Sequence, residues 1–256
     1  LEGESRQLAI LFTDIRGFTT LTEHMDPAFT LDLLNQYFGV IHRVATQTQG
    51  VLDKYMGDSA LVFWGAPDYL DHPARAAVEA ALLCQAQLEQ LNSDWRSQGL
   101  DVAFDTCFGL DYGPVVVGNM GPHERVNYTI VGDHVNQAQR LERVNRRFGT
   151  TILASGDLVT ALGAAADDYL IVAVDQARLR GFSSSVDLFE ILARRRDATD
   201  EQQHFAQLFH AAREAFRQGR SDDALEHLRQ LPQAMQQRPY VQSLVQACAS
   251  PPEIEA

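Results

Sequence analysis

The chain has 256 residues, 45% of them hydrophobic and 21% charged, which suffices for one full-sized core plus an appendage. Its formal charge of −13, from 34 acidic and 21 basic residues, argues against a broad nucleic-acid footprint. No apolar run approaches the roughly 20 residues that cross a bilayer, and no secretory signal is visible.

In chain order, Leu8–Phe12 predicts a buried strand that ends in Thr13-Asp14-Ile15-Arg16-Gly17. Apolar residues from Phe29 to Ala45 recur at helical spacing, which predicts a helix from Pro27 to about Thr48. Val51–Tyr55 and Ala60–Phe63 flank Met56-Gly57-Asp58 as a hairpin. Pro73–Leu91 predicts a second long helix, and Phe104–Tyr112 with Val115–Val117 a pair of strands separated by Gly113-Pro114. Gly132–Phe148 reads as a helix closed by Gly149. Thr151–Ala154, Tyr169–Val174 and Asp187–Leu192 read as later strands. This interleaving predicts an α/β chain (an α+β sandwich), with a mixed sheet covered by helices.

Beyond Arg194-Arg195-Arg196 the texture becomes amphipathic helix, from Glu201 to Leu231. It reads either as a single hairpin of the tetratricopeptide type or as a helical brace. We therefore divide the chain into a domain over 1–196 and a helical extension over 197–256, with a frayed tail from about Ser250. Cys84, Cys107 and Cys248 form neither a disulfide framework nor a zinc pattern, so buried thiols in a reducing cytoplasm are expected. The opening Leu1-Glu2-Gly3 lacks an initiator Met, which suggests that a sensor or membrane anchor precedes the chain.

Three constellations carry chemistry. Asp14 and Asp58 each stand at the end of an apolar run, where a carboxylate is costly unless a cation or several donors compensate it. They suggest a seat for hard divalent ions, and hence a nucleotide triphosphate. The turn at Gly17 can present successive backbone amides to phosphate oxygens. Lys54 lies within an apolar strand, where its ammonium is penalised. Asn136 and Arg140 stand one helical turn apart, so an amide and a guanidinium share a face suited to an oxyanion. Each has a plain rival: a helix-capping Asp, a snorkelling edge-strand Lys, a solvated helix face.

Taken together, these segments resemble the class III nucleotide cyclase catalytic domain. The resemblance runs from about Arg6 to Leu192. It rests on Phe12-Thr13-Asp14-Ile15-Arg16-Gly17-Phe18-Thr19, Lys54-Tyr55-Met56-Gly57-Asp58, Gly118-Asn119-Met120-Gly121, and Thr129-Ile130-Val131-Gly132-Asp133 leading to Asn136 and Arg140. It implies a ferredoxin-like sheet and two Mg²⁺ ions, replaceable by Mn²⁺, held by Asp14, Asp58 and the Ile15 carbonyl. Arg140 would steady charge on the α-phosphoryl group and Asn136 would orient the ribose. Backbone donors of Ile15, Arg16, Gly17, Phe18 and Thr19 would cradle the β- and γ-phosphates, and Arg180 stands where the family usually has a phosphate-directed Lys. Lys54 and Thr129 would select adenine, since guanylyl cyclases typically place an acidic residue at the first position.

Thr129 also resembles the bicarbonate-responsive and some photoactivated members. The family's site lies between two catalytic domains, which implies a homodimer acting on ATP to give cyclic AMP and pyrophosphate. A guanylyl cyclase and a catalytically silent nucleotide-binding or dimerisation module are the rivals. A phosphate-binding loop of the Gly-x-x-x-x-Gly-Lys type is missing. His72, His123 and His134 read as loop or cap residues, and His134 departs from the small residue common in the family.

Overall fold

The computed structural model describes residues 3–122, 124, 126–177 and 185–249. Strand β1 (Glu4–Ile15) leads into the short helix α1 (Phe18–Thr22), then the long helix α2 (Pro27–Gln47). Asp26 caps α2 by accepting from the Phe29 amide at 3.0 Å, and Pro27 begins it where no intrahelical donor is needed. The hairpin β2 (Val51–Met56) and β3 (Ser59–Trp64) follows, then α3 (Pro73–Ser97). Next come β4 (Thr106–Met120), β5 (Asn127–Val131) and α4 (Asp133–Phe148). The sheet is completed by β6 (Ile152–Ser155), β7 (Tyr169–Ala177) and β8 (Val186–Arg194), with α5 (Gly156–Leu162) between β6 and β7.

The described strands form one mixed sheet in the order β2-β3-β1-β4-β6-β8-β7, with β5 pairing β4. β4 and β6 run parallel, and the other pairs are antiparallel. β1 is central and apolar on both faces. Ala9 and Leu11 face a core built with α2 and α3, whereas Leu8, Ile10 and Phe12 face a second core with Val115, Val117, Ile130 and Ala138. Strand alternation alone separates the two sets. Among the described residues no helix is long and apolar enough to cross a membrane.

Two expectations are corrected. Gly113-Pro114 does not split a strand pair, because β4 runs unbroken and Pro114 lies opposite Gln7 of β1. On its other side β4 pairs β6 only at 108–110 and β5 only at 116–120. Among the described residues Pro114 thus has no strand neighbour on that side, so the amide proton it lacks breaks no ladder there. Helix α3 continues past Leu91 to Ser97, since Trp95 is buried, donates to Gln36 Oε1 at 2.9 Å and packs edge-on against Phe104.

The C-terminal helices are α6 (Asp200–Arg217), α7 (Ser221–Arg229), α8 (Gln233–Gln236) and α9 (Pro239–Ala249). Thr199 and Gln202 form a reciprocal capping box at the start of α6. Phe205 and Phe209 of α6, with Tyr240 and Val241 of α9, share one core with Leu153, Leu170, Val172 and Leu188 of the sheet. Glu190 of β8 is buried beneath them and accepts from Arg238 Nη1 at 2.6 Å and the Tyr240 hydroxyl at 2.7 Å. Cys84, Cys107 and Cys248 are buried free thiols.

Candidate functional site

β1 carries half-buried Asp14 to the edge of the core, with Ile15 buried in the core just after it. The β2–β3 turn brings Asp58 alongside. The Ile15 amide donates to Asp58 Oδ2 at 3.3 Å, and the Ser59 hydroxyl donates to Asp14 Oδ1 at 2.6 Å. Asp58 titrates above the usual carboxylate range, through partial burial first and then the charge of Asp14. Two half-buried carboxylates that repel one another form a donor set that a divalent cation would relieve.

Gly17 turns the chain at φ 67°, a left-handed conformation that favours glycine, with open space where a side chain would stand. The amides of Phe18 and Thr19 open α1 and have no partner within it. Arg16 departs from the expected cradle. Its amide is taken by the Asp105 carbonyl at 2.7 Å. Its side chain turns inward to Cys107 Sγ at 2.8 Å, the Thr150 carbonyl and Asp105. The residue anchors the end of β1 rather than reaching outward.

Lys54 and Thr129 meet. Lys54 Nζ donates to Thr129 Oγ1 at 3.1 Å. Strand register alone would not bring them together: Lys54 lies across Leu61 from Phe12 near the end of β1, while Thr129 pairs with Gly118, next to the start of β1. The long β1–β4 ribbon must coil to lay β5 over β2. Asp53 joins them, accepting from the Thr129 hydroxyl at 2.6 Å and lying 3.6 Å from Lys54 Nζ. Its neighbour Lys54 reaches the same hydroxyl because a bulge interrupts β2 between Leu52 and Lys54, and strict alternation is lost there. Sequence reasoning missed Asp53. Its signal was a second charge in an apolar strand.

Helix α4 starts just after β5 and packs so tightly on β4 that a side-chain carbon at Gly109 would stand 2.2 Å from the Glu142 amide. This fixes the helix that carries exposed Asn136 and half-buried Arg140. On the same helix Glu142 is buried, and its carboxyl is pushed up to about 8, chiefly by burial and then by the charge of Asp14.

His134 is neither a loop nor a capping residue. Its ring lies against Gly113, and Nδ1 meets Asp111 Oδ2 at 2.8 Å. That bond to fully buried Asp111 is the first cause of a raised imidazole pKa, which burial opposes. Asp111 also accepts from Gln137 and Ser155. Asp111, His134 and Asp157 place one ligand atom each within 4.8 Å of one another, a set that could hold a metal ion. Asp111 and His134 are already satisfied by each other. His72 precedes α3 without a side-chain cap bond. Arg180, His123 and the tail from Ser250 lie outside the described residues.

The model of the adenylate and guanylate cyclase catalytic domain matches residues 2–191. The chain is 35% identical over 187 residues to adenylate cyclase 1 of Rhizobium meliloti (strain 1021), covering 73% of this chain and 28% of that protein. It thus spans less than a third of that curated relative. Two solved structures are similar. The adenylyl cyclase CyaB from P. aeruginosa has a TM-score of 0.68 and 31% identity, covering 78% of this chain and all of that one. The guanylyl cyclase Cya2 has a TM-score of 0.70 and 30% identity, covering 78% and 98%. The chain belongs to the class III nucleotide cyclase family and carries its catalytic domain.

Proposed function

We propose that the chain is an adenylyl cyclase catalytic domain that converts ATP to 3′,5′-cyclic AMP and pyrophosphate at a site shared by two copies. The fold is similar to solved cyclases of both purine preferences, so the choice of base rests on side chains. The observation that carries the reading is the 3.1 Å contact between Lys54 and Thr129. An ammonium is a donor only and suits adenine N1, whereas guanine carries a hydrogen there. The Lys54 side chain is 46% exposed in the single chain, so this discrimination, about 1–3 kcal/mol for a mismatched donor, would apply once a bound base covers it.

Asp14 and Asp58 offer hard oxygen ligands whose mutual repulsion fits divalent cations, with the Ile15 carbonyl as a further ligand. Bound there, Mg²⁺ or Mn²⁺ supplies Lewis acidity to the ribose 3′-hydroxyl and neutralises the triphosphate. The protein groups do the rest. Amides of Gly17, Phe18 and Thr19 hold phosphate oxygens, with Arg180 assisting. Asn136 orients the ribose, and Arg140 faces the charge that builds on the α-phosphoryl group. In-line attack then expels pyrophosphate. Residues 1–196 would carry this machinery, with 197–256 as an extension whose described helices pack on the sheet. A cytoplasmic setting agrees with three free thiols and an ATP substrate.

Exposed apolar side chains beside the base pocket support a second copy. Tyr55 and Met56 follow Lys54, and Val131 lies close to Thr129 and is 57% exposed. Each copy would give its metal aspartates to one site and its base-selecting and transition-state residues to the other. The test is product formation by the isolated chain with Mn²⁺, ATP and GTP competing. Cyclic AMP in excess supports the reading. Cyclic GMP in excess would replace it with a guanylyl cyclase, and neither product would point to a silent module.

A further inference from the structure

We infer that Asp53 is a positioning residue for purine choice: its buried carboxylate holds the Thr129 hydroxyl so that only an oxygen lone pair faces the base. The inference rests on the adenylyl cyclase reading and names the device that enforces it. The Asp53 side chain is 2% exposed, and Thr129 is 7% exposed. A hydroxyl has one hydrogen to give and two lone pairs to receive with. Of its two charged neighbours, Lys54 can only donate and a carboxylate can only accept. The hydrogen must therefore point to Asp53 at 2.6 Å, and a lone pair to Lys54 at 3.1 Å.

A free threonine hydroxyl would be a poor discriminator, since it can rotate to donate to a 6-oxo group or accept from a 6-amino group. Here rotation would strip a buried carboxylate of its short hydrogen bond. Thr129 thus accepts from the adenine 6-amino group and opposes the guanine 6-oxo group. The β2 bulge makes the device possible, because it lets two adjacent residues address one hydroxyl.

Asn at 53 keeps the shape and reverses the logic. Its carbonyl oxygen is drawn to the Lys54 ammonium, which leaves the amide nitrogen to donate to Thr129. The hydroxyl hydrogen then turns toward the base. The experiment measures kcat/KM for ATP and GTP in wild type, D53N, T129V and D53N/T129V. In D53N the ATP-to-GTP ratio should fall about tenfold, one hydrogen bond's worth of discrimination, while in the T129V background the same change should move it less than twofold. An unchanged ratio in D53N, or an equal fall without the hydroxyl, would overturn the inference.

A second comparison needs no change at Asp53. T129V should lower kcat/KM for ATP and leave that for GTP equal or higher, because an opposing lone pair is gone. A fall for GTP of threefold or more would show that the hydroxyl donates to the 6-oxo group, and the inference would fail. Wild type that makes no cyclic nucleotide from either purine would instead defeat the underlying adenylyl cyclase reading.

Discussion

The Ile15 amide meets the Asp58 carboxylate across 3.3 Å, and this bond ties the β2–β3 turn to the end of β1. It brings Asp58 beside Asp14 at a cost, since each negative charge raises the energy of the other. Relieving that repulsion should stabilise the fold. Adding Mn²⁺ at about a hundred times its dissociation constant should add about 2.7 kcal/mol of stability, read as a rise in melting temperature. Asp58→Asn should abolish both that rise and cyclase activity, while its metal-free melting temperature stays equal or climbs. A lower metal-free melting temperature would show that the carboxylate pair is not strained.

Glu142 gives the fold a pH dependence. Its carboxyl is raised from an ordinary 4.5 up to about 8 by burial and by Asp14. Because the folded state keeps a proton that the unfolded chain releases above pH 4.5, stability should fall as the pH climbs toward 8. The loss should be on the order of a few kcal/mol in metal-free urea titrations between pH 5 and 8. Glu142→Gln should flatten the profile. A profile of the same slope in that variant would assign the dependence to other groups.

Gly113 makes room for His134. A side-chain carbon at Gly113 would stand 2.2 Å from the ring of His134, which lies at the start of α4 and bonds Asp111 of β4. Gly113→Ala should therefore cost about 1–3 kcal/mol and lower kcat, since α4 carries Asn136 and Arg140. Adding His134→Ala should return part of the steric loss. A Gly113→Ala variant of wild-type stability would contradict this packing.

The C-terminal helices are tied to the sheet through a charge. Arg238→Ala would leave Glu190 buried with Tyr240 as its remaining side-chain partner among the described contacts. The expected loss is about 3–5 kcal/mol. Pairing it with Glu190→Gln should recover most of that loss, as denaturant titration of the double variant would reveal.

Chemistry that is local along the chain was legible without the structure. Asp14, Gly17 and Asp58 each declare themselves through an apolar run that ends in a carboxylate or a turn, and the structure puts Asp14 at the end of β1, Gly17 in the turn before α1 and Asp58 in the β2–β3 turn. What depends on distant packing was not. Trp95 prolongs α3 only because Phe104 and Gln36 receive it. The Arg16 amide was expected in the phosphate cradle, but it donates to the Asp105 carbonyl, far along the chain. The part played by Asp53 was hidden because a bulge, invisible in composition, breaks the alternation that would send it away from Lys54.

The central claim is that two copies build each site, and subunit mixing tests it most directly. Asp14→Ala and Arg140→Ala chains should each be inactive alone, one lacking a metal carboxylate and the other the guanidinium. Combined in equal amounts they should regain about a quarter of wild-type activity, since random pairing makes half the dimers mixed and each of those has one intact site of two. Heterodimers that form, as shown by differently tagged copies purifying together, yet make no cyclic AMP would contradict the account.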